Sequence, residues 1–228
     1  MSYFVTGTDT SVGKTLISCA LLHGFAAQGK RVVGMKPVAA GCNDDGQNDD
    51  VRQLRAASNV QFGIDTPGNE QINPYCFAPA VAPHLAAQLA GVSIDYARIA
   101  AAYAELAAQA DVVIVEGAGG LLVPLAAAQD SSDLMRELGL PVILVVGMRL
   151  GCLNHALLTV EAIAARGLVL AGWVANVLDA DMAMLDENIA ALRQRIAAPL
   201  LGVVPYQPQP DARKVARCLD FGLLDKRN

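Results

Sequence analysis

The sequence predicts an α/β fold, a doubly wound, mainly parallel sheet with helices on both faces. Short apolar runs rich in β-branched residues recur along the chain. Segments with helical periodicity separate them. Gly29, Gly139, Gly167 and Pro199 stand where those helices should stop. Continuous apolar runs suit strands buried on both faces of a parallel sheet. Strand and helix in alternation imply right-handed crossovers that cover the sheet on both sides.

The predicted strands are "YFVTG" (3–7), "RVVGMKP" (31–37), "DVVIVEGAGG" (111–120), "PVILVVG" (141–147), "LAGWVANVL" (170–178) and "LLGVVP" (200–205). A helix is expected over 14–28. Another is expected over 153–164, where Leu153, Ala156, Leu157, Val160, Ile163 and Ala164 recur at helical spacing, and a third over 183–196, through Leu185, Ile189, Leu192 and Ile196. The stretch 40–82 is rich in Asn, Asp, Gly and Pro and is expected to loop over the sheet, with one helix near 49–57. No repeat or linker interrupts the pattern, so residues 1–228 are expected to form one domain.

Apolar residues make up 54% of the 228 and charged residues 17%, which fills a core and argues against disorder. A net charge of −5 without a long basic run argues against nucleic acid as a partner. Each apolar run is broken short of membrane-spanning length. The start, "MSYFVTGTDT", has no basic segment and runs straight into a strand, so a cytoplasmic protein is expected. Cys19, Cys42, Cys76, Cys152 and Cys218 are scattered, odd in number and form no C-x-x-C pair, so neither a disulfide framework nor a zinc site is suggested. His23, His84 and His155 are equally dispersed.

The chemistry lies after the strands, where open α/β sheets bind ligands. "GTDTSVGKT" (7–15) follows a strand and opens a helix. Glycines there let successive N–H groups approach a phosphate. Lys14 would reach the outer phosphates and the Thr15 hydroxyl would hold Mg²⁺. The spacing has one residue more than the usual phosphate loop. A capped glycine turn is the plain alternative. Lys36 ends the second strand, facing the same crevice or simply solvated. Glu116 closes a run of four apolar residues, where a carboxylate is costly unless paired or bound to metal. Asp50 offers a second carboxylate or a helix cap. Asn176 ends a strand, where its amide suits an adenine edge or a turn.

Together "YFVTGTDTSVGKT", "KPVAAG", "INPYCF" with "APH", "VEGAGG", "LPVILVVGMRLGCLNHALLT", "LAGWVAN" and "PLLGVVP" resemble the dethiobiotin synthetase family, in family order over residues 3–205. The family's phosphate loop has the same extended spacing. The resemblance implies a phosphate-loop NTPase-type fold and a homodimer. It also implies a reaction of 7,8-diaminopelargonate, CO₂ (or bicarbonate) and ATP, with Mg²⁺, to give dethiobiotin. It makes Lys36, Lys14 and Thr10 the catalytic set and Thr15, Asp50 and Glu116 the magnesium ligands. Nucleotide contacts would come from Ser11, Val12, Gly13, Lys14, Thr15 and Leu16, from Gly117, Ala118 and Gly119 beside Glu116, and from Asn176, Pro205, Tyr206 and Gln207. The diamine would meet Ala40 and Lys36, and its tail carboxylate would meet Leu150, Gly151, Cys152, Leu153 and Asn154 of the partner subunit.

The chain departs from the family at two positions, Ser11 where many members have Glu and Ala40 where many have Ser. Two rivals share the broad fold. A nucleotide-switched partitioning ATPase usually carries a lysine near the start of the loop, where this chain reads "GTDTS". An amidotransferase-type synthetase would need a glutaminase domain, for which no residues are expected to remain.

Overall fold

The computed structural model describes residues 1–43, 47–60 and 70–225. In chain order its strands are β1 (Ser2–Gly7), β2 (Val32–Met35), β3 (Val38–Ala40), β4 (Tyr75–Phe77), β5 (Val112–Gly120), β6 (Val142–Met148), β7 (Leu170–Val177) and β8 (Leu200–Val204). The helices between them are α1 (Lys14–Ala27), α2 (Asp49–Ala57), α3 (Pro83–Leu89), α4 (Tyr96–Gln109), α5 (Ser131–Leu138), α6 (Cys152–Ala165) and α7 (Leu185–Arg195). Two short helices, Ala212–Val215 and Gly222–Asp225, follow β8.

Six strands form one sheet in the order β2-β5-β1-β6-β7-β8, and every neighbouring pair is parallel. Parallel neighbours require crossovers, and the helices supply them. Side chains alternate between the faces, as a period of two demands. On β1, Tyr3 and Val5 pack with Ile17, Leu21 and Phe25 of α1, while Phe4 joins the opposite cluster with Ile99 and Leu106 of α4 and Met135 of α5. Leu144, Val146, Trp173 and Ala175 meet Ala156 of α6 and Leu192 of α7. Each fully buried large side chain contributes roughly 1.5–3 kcal/mol by leaving water.

β1 lies between β5 and β6. The chain leaves β1 toward one edge and later fills the other side, so the direction of winding reverses beside it. Such a switch point opens a crevice at the carboxyl ends of the strands. The loop after β1 therefore stands at its mouth.

The six expected strands are all present, and so are the helices expected over 14–28, 49–57, 153–164 and 183–196, within a few residues. The stretch 40–82 differs from expectation. β3 and β4 form a small parallel pair of their own, with Val38, Ala39 and Ala40 opposite Tyr75, Cys76 and Phe77. Asn73 braces it by donating its amide to the carbonyls of Lys36 (2.6 Å) and Tyr75 (2.9 Å). Three-residue strands are too short to show a period. That pairing corrects a second expectation, because Cys42 and Cys76 form a disulfide although they are 34 residues apart in sequence. Cys19, Cys152 and Cys218 are free. Among the described residues no helix is long and apolar enough to cross a membrane.

Candidate active site

The loop between β1 and α1 is held from several sides. Thr8 N donates to Val145 O of β6 at 3.0 Å. The Asp9 carboxylate accepts from Thr10 N at 2.7 Å and from the Arg149 guanidinium at 2.6 Å. Ser11 adopts φ 59° and Gly13 φ 91°. Gly13 needs its missing side chain twice over. The left-handed conformation penalises a Cβ, and a Cβ there would run into the Asn176 amide. That amide donates to Val12 O at 2.8 Å, so the end of β7 pins the loop.

The start of α1 is left open. α2, α4 and α5 begin under the side chains of Asn48, Asp95 and Asp130, which accept from first-turn N–H groups. α1 has no side-chain cap and no acid in its first turn. Its free N–H groups and positive dipole end suit an anion. Lys14 stands there, 7% exposed, its Nζ donating to Asp9 O at 3.1 Å. Burial first, and the nearby Lys36 second, pull its pKa down to about 8. A bound phosphate would relieve that cost.

Facing the loop is a compact charge cluster. Lys36, at the end of β2, donates from Nζ to Glu116 Oε1 at 2.6 Å, Asp50 Oδ2 at 2.9 Å and Gly117 O at 3.4 Å. Burial alone would lower its pKa, but Glu116 and then Asp50 outweigh that and hold it above the ordinary lysine value. Asp50 mirrors this. Burial would raise its pKa, and the Lys36 ammonium carries it below the usual carboxylate range. The Thr15 hydroxyl lies 2.9 Å from Asp50 Oδ1 and 2.9 Å from Glu116 Oε1. Its one proton serves one of them at a time.

Glu116 is fully buried, and its Oε2 has no hydrogen-bond partner. An orphaned buried carboxylate oxygen is costly. A divalent cation would satisfy it. Thr15, Asp50 and Glu116 form a hard-oxygen set, which suits Mg²⁺. Among the described residues no group of three or more His, Cys, Asp or Glu side chains stands together. Two carboxylates and a hydroxyl do not make an all-protein cage. Mg²⁺ ordinarily completes such a set with water and phosphate oxygens.

These elements surround a cavity of about 710 Å³. Thr10, Ser11, Gly13, Lys14 and Thr15 form one side, Lys36, Val38, Ala39 and Ala40 another, and Glu116, Ala118 and Gly119 a third. Asn48, Asp50, Val123 and the segment 80–83 complete it. The residues expected to act on the phosphates, the magnesium and the reacting end of the diamine therefore meet in one place, and the others do not. Val12 is buried behind the loop, and Gly117 turns its carbonyl to Lys36. Leu16 and Asn176 are outside the lining, as are Pro205, Tyr206 and Gln207 beyond β8. Gln207 accepts from Asp211 N at 3.1 Å, and Tyr206 is 46% exposed. Residues 150–154 also lie outside it. Leu150 is 99% exposed, Gly151 has φ 93°, and Cys152 is buried at the start of α6.

Sequence reasoning missed Asn48 and Arg149. Asn48 caps α2 and donates from Nδ2 to Ala40 O at 3.2 Å. The cap role is thus taken by Asn48, which leaves the Asp50 carboxylate free for the cavity. The signal was there, since Asn is a preferred cap residue two positions before Asp50. Arg149 carries no sequence signal, because its partner Asp9 is 140 residues away.

Residues 1–214 match the family model described as AAA domain. The chain is 58% identical over 221 residues to an ATP-dependent dethiobiotin synthetase, BioD, of Aromatoleum aromaticum, covering 96% of each chain. It is 57% identical to the protein of the same name from Nitrosospira multiformis, covering 97% of this chain and 96% of the relative. The chain belongs to the dethiobiotin synthetase family. It is an ATP-dependent ligase that forms dethiobiotin in biotin biosynthesis. Its fold is that of the phosphate-loop NTPases. The MinC:MinD cell division protein complex of Aquifex aeolicus shares it at a TM-score of 0.54 and 13% identity, covering 91% of this chain and 82% of that one.

Proposed function

We propose that the cavity after β1, β2 and β5 turns 7,8-diaminopelargonate, CO₂ and MgATP into dethiobiotin, ADP and phosphate. The observation that carries this is the pair of buried lysines, Lys14 and Lys36, facing Asp50 and Glu116 across one cavity. One amine of the diamine takes up CO₂, supplied as such or from bicarbonate, as a carbamate. A carbamate oxygen attacks the γ-phosphorus and ADP leaves, giving a carbamic–phosphoric anhydride. The second amine then attacks the carbamoyl carbon, the ring closes and phosphate departs.

Negative charge gathers between the carbamate and the γ-phosphate in each step. Lys14 and the open N-terminus of α1 hold the phosphates. Lys36 stands where it can touch both the carbamate and the transferred group, and the Thr10 side of the loop lines the same space. Fixed cations in a buried site stabilise that charge more than water does. Thr15, Asp50 and Glu116 would hold Mg²⁺, which would supply further neutralisation of the phosphates. The protein mainly positions and neutralises. Ala40 borders the diamine. Asn176, Pro205, Tyr206 and Gln207 stand at the ends of β7 and β8 and flank the nucleotide base.

We further propose that the whole chain works as one domain in the cytoplasm, as a homodimer. Residues 150–154 of one protomer then take the tail carboxylate of a diamine whose amines lie at its partner's Lys36. The exposed Leu150 and the uncapped start of α6 support that arrangement. The direct test measures ADP release from MgATP with and without diaminopelargonate and bicarbonate, with dethiobiotin identified by mass. Turnover should require both. ATP hydrolysis indifferent to the diamine would instead mark a nucleotide switch of the same fold.

A further inference from the structure

Two segments form the wall of the cavity opposite the phosphate loop, and each runs on from a strand of the small sheet. β3 contributes Val38, Ala39 and Ala40, and the segment 80–83 follows β4. Cys42 lies just past β3 and Cys76 lies within β4. Their Cα atoms are 6.2 Å apart, inside the range a disulfide spans without moving the backbone. Backbone pairing also draws the two segments together. Ala39 is in register with Cys76, Cys42 N donates to Phe77 O at 3.0 Å, and Gly41 N donates to Pro79 O at 3.2 Å.

We propose that Cys42 and Cys76 form a reversible redox staple that sets the shape of the substrate wall. The bridge joins the two wall segments at their bases. It also closes the chain around α2, which bears Asp50 and whose cap residue Asn48 holds the Ala40 carbonyl. Cys42 is 9% exposed and Cys76 half-buried, so Cys76 is the more open side for an attacking thiolate. In the oxidising direction the Cys42 and Cys76 thiols reduce one small-molecule disulfide such as oxidised glutathione. Attack by one thiolate releases one glutathione and leaves a mixed disulfide. Attack by the other releases the second and forms the bridge, and the two protein thiol protons end on the two released glutathione thiols. A reduced dithiol reverses each step. The other three thiols have no such neighbour. Cys19 is buried on α1, and its pKa is pushed up to about 12 by burial first and then by Glu116 and Asp50.

The bridged form holds the Ala40 wall in its binding shape, and a preorganised wall binds more tightly than a loose one. The effect on substrate rests on the reading that this cavity receives the diamine; the bridge itself does not. The experiment equilibrates the purified full chain in glutathione buffers of graded ratio, traps thiols with N-ethylmaleimide under denaturing conditions and maps them by peptide mass. In the same buffers it measures the KM for diamine, the KM for ATP and kcat. In the oxidised buffer two of the five cysteines, Cys42 and Cys76, should escape alkylation. Reduction should raise the diamine KM roughly three- to tenfold with kcat little changed. Cys42→Ser and Cys76→Ser should each fix the KM at the reduced value in every buffer. Alkylation of both cysteines in the oxidised buffer would overturn the staple itself. A bridge that forms while the diamine KM stays constant would overturn its effect on the wall. Should the protein not use the diamine at all, the mapped thiols still decide whether the bridge exists.

Discussion

Two helix starts in this molecule are built alike and end up in opposite surroundings. α1 begins after Gly13 at φ 91° and α6 after Gly151 at φ 93°; neither has a side-chain cap or an acid in its first turn. Both offer free N–H groups and a positive dipole end, which suit an anion. The first is walled in by Lys14, Lys36, Glu116 and Asp50 around a cavity. The second is bare, and a Cβ on Gly151 would meet nothing within 4 Å. The contrast teaches that the same local build is enclosed by charged side chains at α1 and left open at α6, as the proposed dimer would require. A diamine with a tail carboxylate has one end for each.

The sharpest way to break that reading is at the enclosed end. Lys14→Ala removes the one side-chain cation of the loop. Turnover should fall at least about a hundredfold, the scale of losing a charge-stabilising donor in a dry site. Steady-state ADP release measures it. A Lys14→Ala enzyme within a few-fold of wild type would show that this helix start does not hold the transferred phosphate.

The next test sets the two ends against each other. Lys36→Gln should cut turnover far more than ATP affinity, as expected of a group used mainly in the transition state. Gly151→Trp adds bulk and strain at a left-handed position. Each variant alone should be nearly inactive. Co-folded in equal amounts, they should recover about a quarter of wild-type activity, because half the dimers are mixed and one of the two sites in each is intact. No recovery despite confirmed mixed dimers would place both ends of the substrate on one protomer. Full activity in a monomer, shown by light scattering at assay concentration, would do the same.

What the sequence showed and what it hid follow the same division between local and distant. Each central strand was legible because a run such as "VVIV" before Glu116 is apolar without a break. α2 was legible as a helix near 49–57, although its cap, Asn48, was not. The phosphate loop was legible because strand, glycines, lysine and helix are contiguous. The partners were not legible. Thr15 meets Asp50 and Glu116 from 35 and 101 residues away, and no periodicity encodes which loop faces which. β3 and β4 were missed because three residues show no pattern. The Cys42–Cys76 bridge was missed with them, since their pairing is what brings the two cysteines together. The family resemblance supplied the roles of Lys36 and Asp50, which are ambiguous when read singly.

A smaller effect is expected at Ala40, on the enclosed end of the diamine. Ala40→Ser adds a hydroxyl at the cavity wall, beside a carbonyl already held by Asn48. One hydrogen bond contributes about 0.5–1.5 kcal/mol. Half-saturation by diamine should therefore fall by roughly two- to tenfold, with ATP half-saturation unmoved. A rise instead would mean that the wall is packed around the methyl group.

The smallest effect should come from the link between the two helix starts. Arg149 sits immediately before Leu150 and reaches across to Asp9 in the phosphate loop, the two side chains 43% and 46% exposed. Asp9 also holds Thr10 N with its carboxylate and Lys14 with its carbonyl, so the pair ties the segment before α6 to the phosphate loop. Half-exposed ion pairs contribute no more than about 1 kcal/mol, so Arg149→Met should change either KM by less than roughly fivefold. What matters is where the change falls. If the pair only steadies the phosphate loop, Asp9→Asn and Arg149→Met should both raise the ATP KM and leave the diamine KM alone. If it connects the two ends, each should raise both constants, and the double variant should be no worse than the poorer single one, because the second change has nothing left to uncouple. Additive losses in the double variant would show that Asp9 and Arg149 act separately, and that the two helix starts share a local build without communicating.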